Sequence, residues 1–330
     1  MSGGSNRGGE IYFFAKGPIS NKFRSAVITG ACRSGKTTLG NILSTTNYVE
    51  MAEEPWAGNA LPLLVGLRKI DEAAGQEMFQ KFAEEYLNDS ILLRNANFRP
   101  GDLSSIWNRI SPIDIFSRIA AVETRADVKI YVEEKNPILI LNLAETLPFC
   151  SFFPKAIPSI KIIISVRKGL DVAMDCENKN WNSDQELLSP TWPVICYSYI
   201  HKGKILQLPW WVSAEDGELF LSYSIYERGL YYWCQLMESG LLELESLDEE
   251  GNRYLIVRYE DLIEDPEGQF IEAAKFLDVE ATPLTTTTIS KTRTRKNKVF
   301  KYGERKISED LVNRTEMLYD RLGYVKLLNK

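Results

Sequence analysis

"SAVITGACRSGKTTLG", residues 25–40, decides the fold. The β-rich run Ser25–Thr29 stops at Gly30, and Leu39, Ile42 and Leu43 then recur at helical spacing. Between them lies a Gly-x4-Gly-Lys-Thr loop, with glycines at 30 and 35 where the chain must turn tightly. Successive backbone N–H groups at a helix N-terminus gather oxyanions through unsatisfied donors and the helix dipole. Arg33 and Lys36 add charge, while Ser34, Thr37 and Thr38 add hydroxyls. The stretch reads as strand, phosphate cradle and helix.

The same alternation continues outward. "NYVEMAEEPW" (47–56) is a second strand candidate and carries the acidic pair Glu53-Glu54. Further strands are expected at "VKIYVEE" (128–134), "IKIIISV" (160–166) and "RYLIVRY" (253–259), each leading into a helical pattern. The segment 71–87 reads as a helix with Met78, Phe79, Phe82 and Tyr86 on one side, and Pro137 reads as opening another. Asp265-Pro266-Glu267 has the form of a helix start, and Ser308 and Gly323 bracket a last helix. Strands alternating with helices imply an α/β fold, a doubly wound parallel sheet with a P-loop-type three-layer α/β/α core. Residues 1–24 read as an N-terminal extension, its first ten Gly/Ser/Asn-rich and disordered, and 25–330 as a single α/β domain. The irregular stretch 176–230 holds Trp181, Trp192, Trp210, Trp211, Tyr197 and Tyr199, and is expected to form an aromatic-rich cap inserted after the fourth strand. Its aromatics either cover an acceptor or fasten the insertion to the body.

Composition narrows the function classes. A net charge of −6 argues against bulk nucleic-acid binding and against an anionic membrane surface. The five cysteines are widely spaced without a CxxC, so neither a disulfide framework nor a zinc site is suggested. No apolar run has the length of a membrane span, and the default compartment is cytoplasmic. The single histidine, His201, excludes mechanisms that need a histidine pair.

At these motifs the chain resembles the sulfotransferase family. "GACRSGKTTL" is similar to that family's 5′-phosphosulfate loop, and "IIISVRKGLDVAMD" (162–175) to its 3′-phosphate segment. "YLIVRYEDLIEDPEGQFIEAAKFLDVE" (254–280) resembles the Tyr-Glu-Asp-Leu strand–helix unit whose tyrosine lies near the adenine. The resemblance implies 3′-phosphoadenosine-5′-phosphosulfate (PAPS) as donor, its bisphosphate PAP as product, and no metal. It assigns Arg33, Ser34, Gly35, Lys36, Thr37 and Thr38 to the 5′-phosphosulfate, Arg167 to the 3′-phosphate and Tyr259 to the adenine. Arg295 and Lys296, in the basic run 291–306, would close over the 3′-phosphate. Lys135, in a Lys-x-Pro, would sit at the transferred group with Lys36, and Glu54 would be the general base of the carboxylate-base branch. The acceptor would be a hydroxyl on a sugar, lipid-linked or small molecule.

Two residues depart from the family's pattern. Lys36 stands where a threonine is usual and completes a kinase-type loop, which keeps open a P-loop kinase using ATP and magnesium. Asp175 stands where the family has a serine that bonds the 3′-phosphate, and an outward-turned side chain is expected there. A nucleotide-binding protein without catalysis is a third reading. Oligomeric state is not legible.

Overall fold

Seven strands form in chain order: β1 (Arg24–Thr29), β2 (Val49–Glu53), β3 (Ile138–Asn142), β4 (Lys161–Val166), β5 (Cys196–His201), β6 (Lys204–Pro209) and β7 (Tyr254–Arg258). The computed structural model describes residues 23–102, 104–191, 195–247, 253–293 and 306–325. The extension through residue 22, Trp192, and the candidate site residues Arg295 and Lys296 lie outside the described residues.

Five strands make one parallel sheet in the order β2-β3-β1-β4-β7. Side chains alternate between its faces. Val27, Leu139, Leu141, Ile162 and Ile164 enter one core, and Ala26, Ile28, Ile138, Ile140 and Ile163 the other. A sheet buried on both faces needs helices on both, which yields the three layers. Val27 and Ile28 are wholly buried, each worth about 1.5–3 kcal/mol relative to exposure. That burial anchors the strand that carries the loop. Because β1 lies between β3 and β4, the connections leave it in opposite directions and open a crevice at its C-terminal end. Gly30, Glu54, Leu143, Arg167 and Tyr259, each the first residue past its strand, line that edge.

Residues 128–134 are not a strand. They belong to the helix Arg125–Lys135, opened by a capping box between Thr124 and Asp127. Val128, Tyr131 and Val132 follow helical spacing, and only Val128 is buried, so the segment lies on the surface. Asn136 ends it in the left-handed conformation, and Pro137 starts no helix but leads directly into β3. Met78 is also displaced from its expected role, facing solvent while Phe79 is buried. The other helix boundaries hold: Asp265 caps Pro266–Leu277 by accepting from the Gly268 N–H, and Gly323 closes Glu309–Leu322 at φ 73°.

In the insertion, β5 and β6 pair as an antiparallel hairpin. Trp211 packs 5.0 Å from the Tyr232 ring and 5.6 Å from Phe220, and Trp210 lies 5.2 Å from Phe149. These two tryptophans fasten the insertion to the body. Among the described residues no helix is long and apolar enough to cross a membrane.

Candidate active site

The loop after β1 wraps as its glycines require. Gly30 has φ 143°, and a Cβ there would stand 2.1 Å from the Ser165 carbonyl oxygen of β4. Gly35 has φ 98°, and a Cβ there would meet the Tyr259 ring at 2.3 Å. Arg33 between them is also left-handed, at φ 68°. The loop is braced from outside: the Ser165 hydroxyl donates to the Ser34 carbonyl at 2.8 Å, and the Cys32 N–H donates to the Tyr232 hydroxyl at 2.7 Å. Lys36, the first residue of the helix Lys36–Leu43, is buried, its ammonium 3.0 Å from the Ala31 carbonyl and 3.5 Å from that of Gly30. Thr37 and Thr38 follow, partly exposed in the first turn. The Ser34 hydroxyl is buried with no hydrogen-bond partner.

Arg167, just past β4, lies 4.8 Å from the centre of the Tyr259 ring and donates to the Arg33 carbonyl at 2.9 Å. The Trp233 indole N–H donates to the Arg167 carbonyl at 3.0 Å. Thus Arg33, Ser34, Gly35, Lys36, Arg167 and Tyr259 come together as the sequence suggested. Asp175 does not turn outward. Its carboxylate is 2.7 Å from Arg167 Nη1 and 3.4 Å from Arg33 Nε, in a helix (Gly169–Asn178) buried on nearly every side. One buried carboxylate therefore faces both arginines of the cradle.

On the other flank stand the C-terminal ends of β2 and β3. Glu54 is exposed at φ 44°, and its N–H donates to the Asn142 carbonyl at 2.9 Å. Its charge reaches the loop, where with burial and the charge of Glu145 it helps push the Cys32 thiol up to about 12. Glu53 is held by Arg109 at 3.2 Å and by the Asn142 amide at 3.4 Å; burial nonetheless raises its pKa.

Glu145, three residues past β3, is a residue sequence reasoning missed. It is left-handed at φ 62°, and its N–H donates to the Gly30 carbonyl at 3.2 Å. The Tyr232 hydroxyl bonds its carboxylate, Lys36 lies close enough to lower its pKa, and burial wins by raising it. Left-handed non-glycine residues cost about 1–3 kcal/mol each and cluster at functional sites; here Arg33, Glu54 and Glu145 border one crevice. Tyr232 was missed as well, since it reaches Cys32 across 200 residues of chain.

Lys135 is not brought to this crevice. It ends the helix that precedes β3, at the N-terminal edge of the sheet, with its ammonium 5.8 Å from the Tyr48 ring. Spanning β3 separates it from the loop by about 15 Å or more. It lines instead a separate cleft of about 680 Å³ with Tyr48, Arg118 and Tyr131.

Residues 24–319 match the family described as the sulfotransferase domain. No curated protein is matched by the sequence. Among solved structures, the sulfotransferase domain of an olefin synthase from Synechococcus PCC 7002 is 16% identical, with a TM-score of 0.49 over 92% of this chain and 96% of its own. A sulfotransferase from Mycobacterium avium is 13% identical, with a TM-score of 0.48 over 92% of this chain and 78% of its own. A mouse sulfotransferase solved with PAP is 10% identical, with a TM-score of 0.36 over 93% and 85%.

Proposed function

The chain belongs to the sulfotransferase family, and we propose that within it the protein moves a sulfuryl group from PAPS to an acceptor hydroxyl on a sugar, lipid-linked or small molecule. The observation that carries this reading is the joining of the loop 30–38 to Arg167 stacked on Tyr259, with Gly35 kept bare to admit that ring. Such a site has an anion cradle, a cation beside it and an aromatic face for a base. The buried Ser34 hydroxyl without a partner fits an oxyanion that would complete it.

The donor would supply the sulfuryl group and a phosphate leaving group; this chain's residues would hold and polarise it. Sulfuryl transfer resembles phosphoryl transfer, where positioning and charge stabilisation do most of the catalysis. Arg33, Ser34, Gly35, Thr37 and Thr38 would bind the 5′ end, and Lys36 would turn from the loop carbonyls toward the charge growing there. Arg167 would meet the 3′-phosphate and Tyr259 the adenine. Glu54, exposed at the strand edge beside the loop, would take the acceptor's hydroxyl proton, a contribution of roughly 10²–10⁴-fold in rate. Lys135 is left without a catalytic role.

Calorimetric titration with adenosine 3′,5′-bisphosphate, and separately with ADP or with ATP and magnesium, tests the donor. Tight binding of the bisphosphate alone is expected, and preference for ATP with magnesium would overturn the reading. For the base, Glu54→Gln should lose at least tenfold in turnover while binding the bisphosphate as before. Full activity of that variant would remove Glu54 from the mechanism.

A further inference from the structure

Around the acceptor side of the crevice, hydrogen-bond acceptors outnumber donors. Asn142 is wholly buried; its amide N–H₂ faces Glu53, and its carbonyl oxygen has no partner. The amide cannot be reversed to cure this, because an oxygen would then face the Glu53 carboxylate. Three carboxyls, Glu53, Glu54 and Glu145, stand at this same edge, and the couplings converge: Lys36 acts on both Glu53 and Glu145, and Cys32 feels both Glu54 and Glu145. Against them stand two cations, of which Arg109 is engaged by Glu53 and Lys36 by loop carbonyls.

An unpaired buried carbonyl and an excess of carboxylate call for a ligand group rich in N–H donors and positively charged. Among the described residues, no three His, Cys, Asp or Glu side chains are gathered closely enough to hold a metal ion. An organic cation is the better fit. Binding of an anionic donor in the loop would deepen the negative potential and favour such a cation further.

We propose that the acceptor carries an ammonium group beside its reacting hydroxyl, an amino alcohol in the broad sense, and that Asn142 Oδ1 and the Glu145 carboxylate receive it. This rests on the acceptor side assigned above to the face bearing Glu54. Glu145 is then a specificity residue, distinct from the base.

The test compares two probes of one shape, trans-4-aminocyclohexanol and trans-1,4-cyclohexanediol, titrated into the full chain near neutral pH by ligand-observed NMR. Each titration is run with and without adenosine 3′,5′-bisphosphate. The amine should bind about tenfold or more tightly than the diol, the worth of one charge-assisted hydrogen bond. Glu145→Gln should reduce that preference to about twofold or less while its circular dichroism matches the parent's. Equal binding of both probes, or no binding of the amine, overturns the proposal; the parent comparison needs no substitution and so does not depend on how a variant folds. Failure of the bisphosphate to bind would refute the PAPS reading instead, leaving the probe comparison to decide this one.

Discussion

Replacing Asp175 by Asn should destabilise the fold and tighten its grip on a 3′-phosphate. The carboxylate lies 2.7 Å from Arg167 and 3.4 Å from Arg33, and the Asp175 and Arg167 side chains are only 12% and 9% exposed. Removing one partner of a buried pair costs about 3–5 kcal/mol when nothing else holds the remaining charge. Arg167 keeps the Arg33 carbonyl and the Tyr259 ring, and Asn keeps an acceptor oxygen. A loss of about 1–3 kcal/mol is therefore expected. Binding should move the other way. A carboxylate 4 Å from a phosphate charge is repelled by about 4 kcal/mol at an effective dielectric of 20. Recovery of a third of that by the variant corresponds to about tenfold in affinity. Calorimetry with adenosine 3′,5′-bisphosphate, with ADP as control, and thermal melts of the same samples read both quantities. A tenfold weaker bisphosphate complex would refute the reasoning, since Asp175 would then be orienting Arg167 for the ligand rather than competing with it. An equal gain for ADP would deny that the arginine reads the 3′ position.

Gly35→Ala places a methyl 2.3 Å from the Tyr259 ring at φ 98°, a conformation costing about 1–2 kcal/mol for an L-residue; bisphosphate binding by calorimetry should fall more than tenfold. Lys135→Ala, at the far edge of the sheet, should leave sulfuryl transfer within about twofold of the parent, and a collapse of turnover would return it to the site. For Glu145, burial lifts the folded-state pKa above the ordinary value, so the folded chain holds the proton more tightly than the unfolded one. Its stabilising contribution is complete below the unfolded value and is lost as pH rises through the folded one. Melting temperatures of Glu145→Gln relative to the parent should accordingly rise between about pH 4 and pH 7, and a flat difference would contradict the sign.

What the sequence disclosed is what is decided locally. The strand, loop and helix of residues 24–43 are consecutive, and so are the Asp265-Pro266 cap and the Gly323 stop. The segment 128–142 misled because its β-branched residues also fit a surface helix. The true strand, "ILILN", begins right after Pro137, where the proline read as a helix start. The carry-over of Lys135 failed with that strand, since a helix end before β3 cannot reach the edge beyond it. Asp175 was misjudged because its helix is enclosed on almost all sides, so no face was outward. Glu145 and Tyr232 depend on contacts with Gly30 and Cys32, more than a hundred residues away, which no local pattern announces.

The central position of β1 also sets an order of events during synthesis. Its neighbours are β3 and β4, so Arg24 waits for Ile138, and Ala26 for Lys161. The helix after the loop has eight residues, too few to persist alone in water. At roughly 5–20 residues per second, the ribosome leaves the loop unsupported for several seconds before β3 appears. β4 must then await Tyr254 of β7, and a chain stopped short of it keeps a bare, apolar edge. Nascent fragments ending between β4 and β7 should thus be the ones chaperones engage and the ones that aggregate when released.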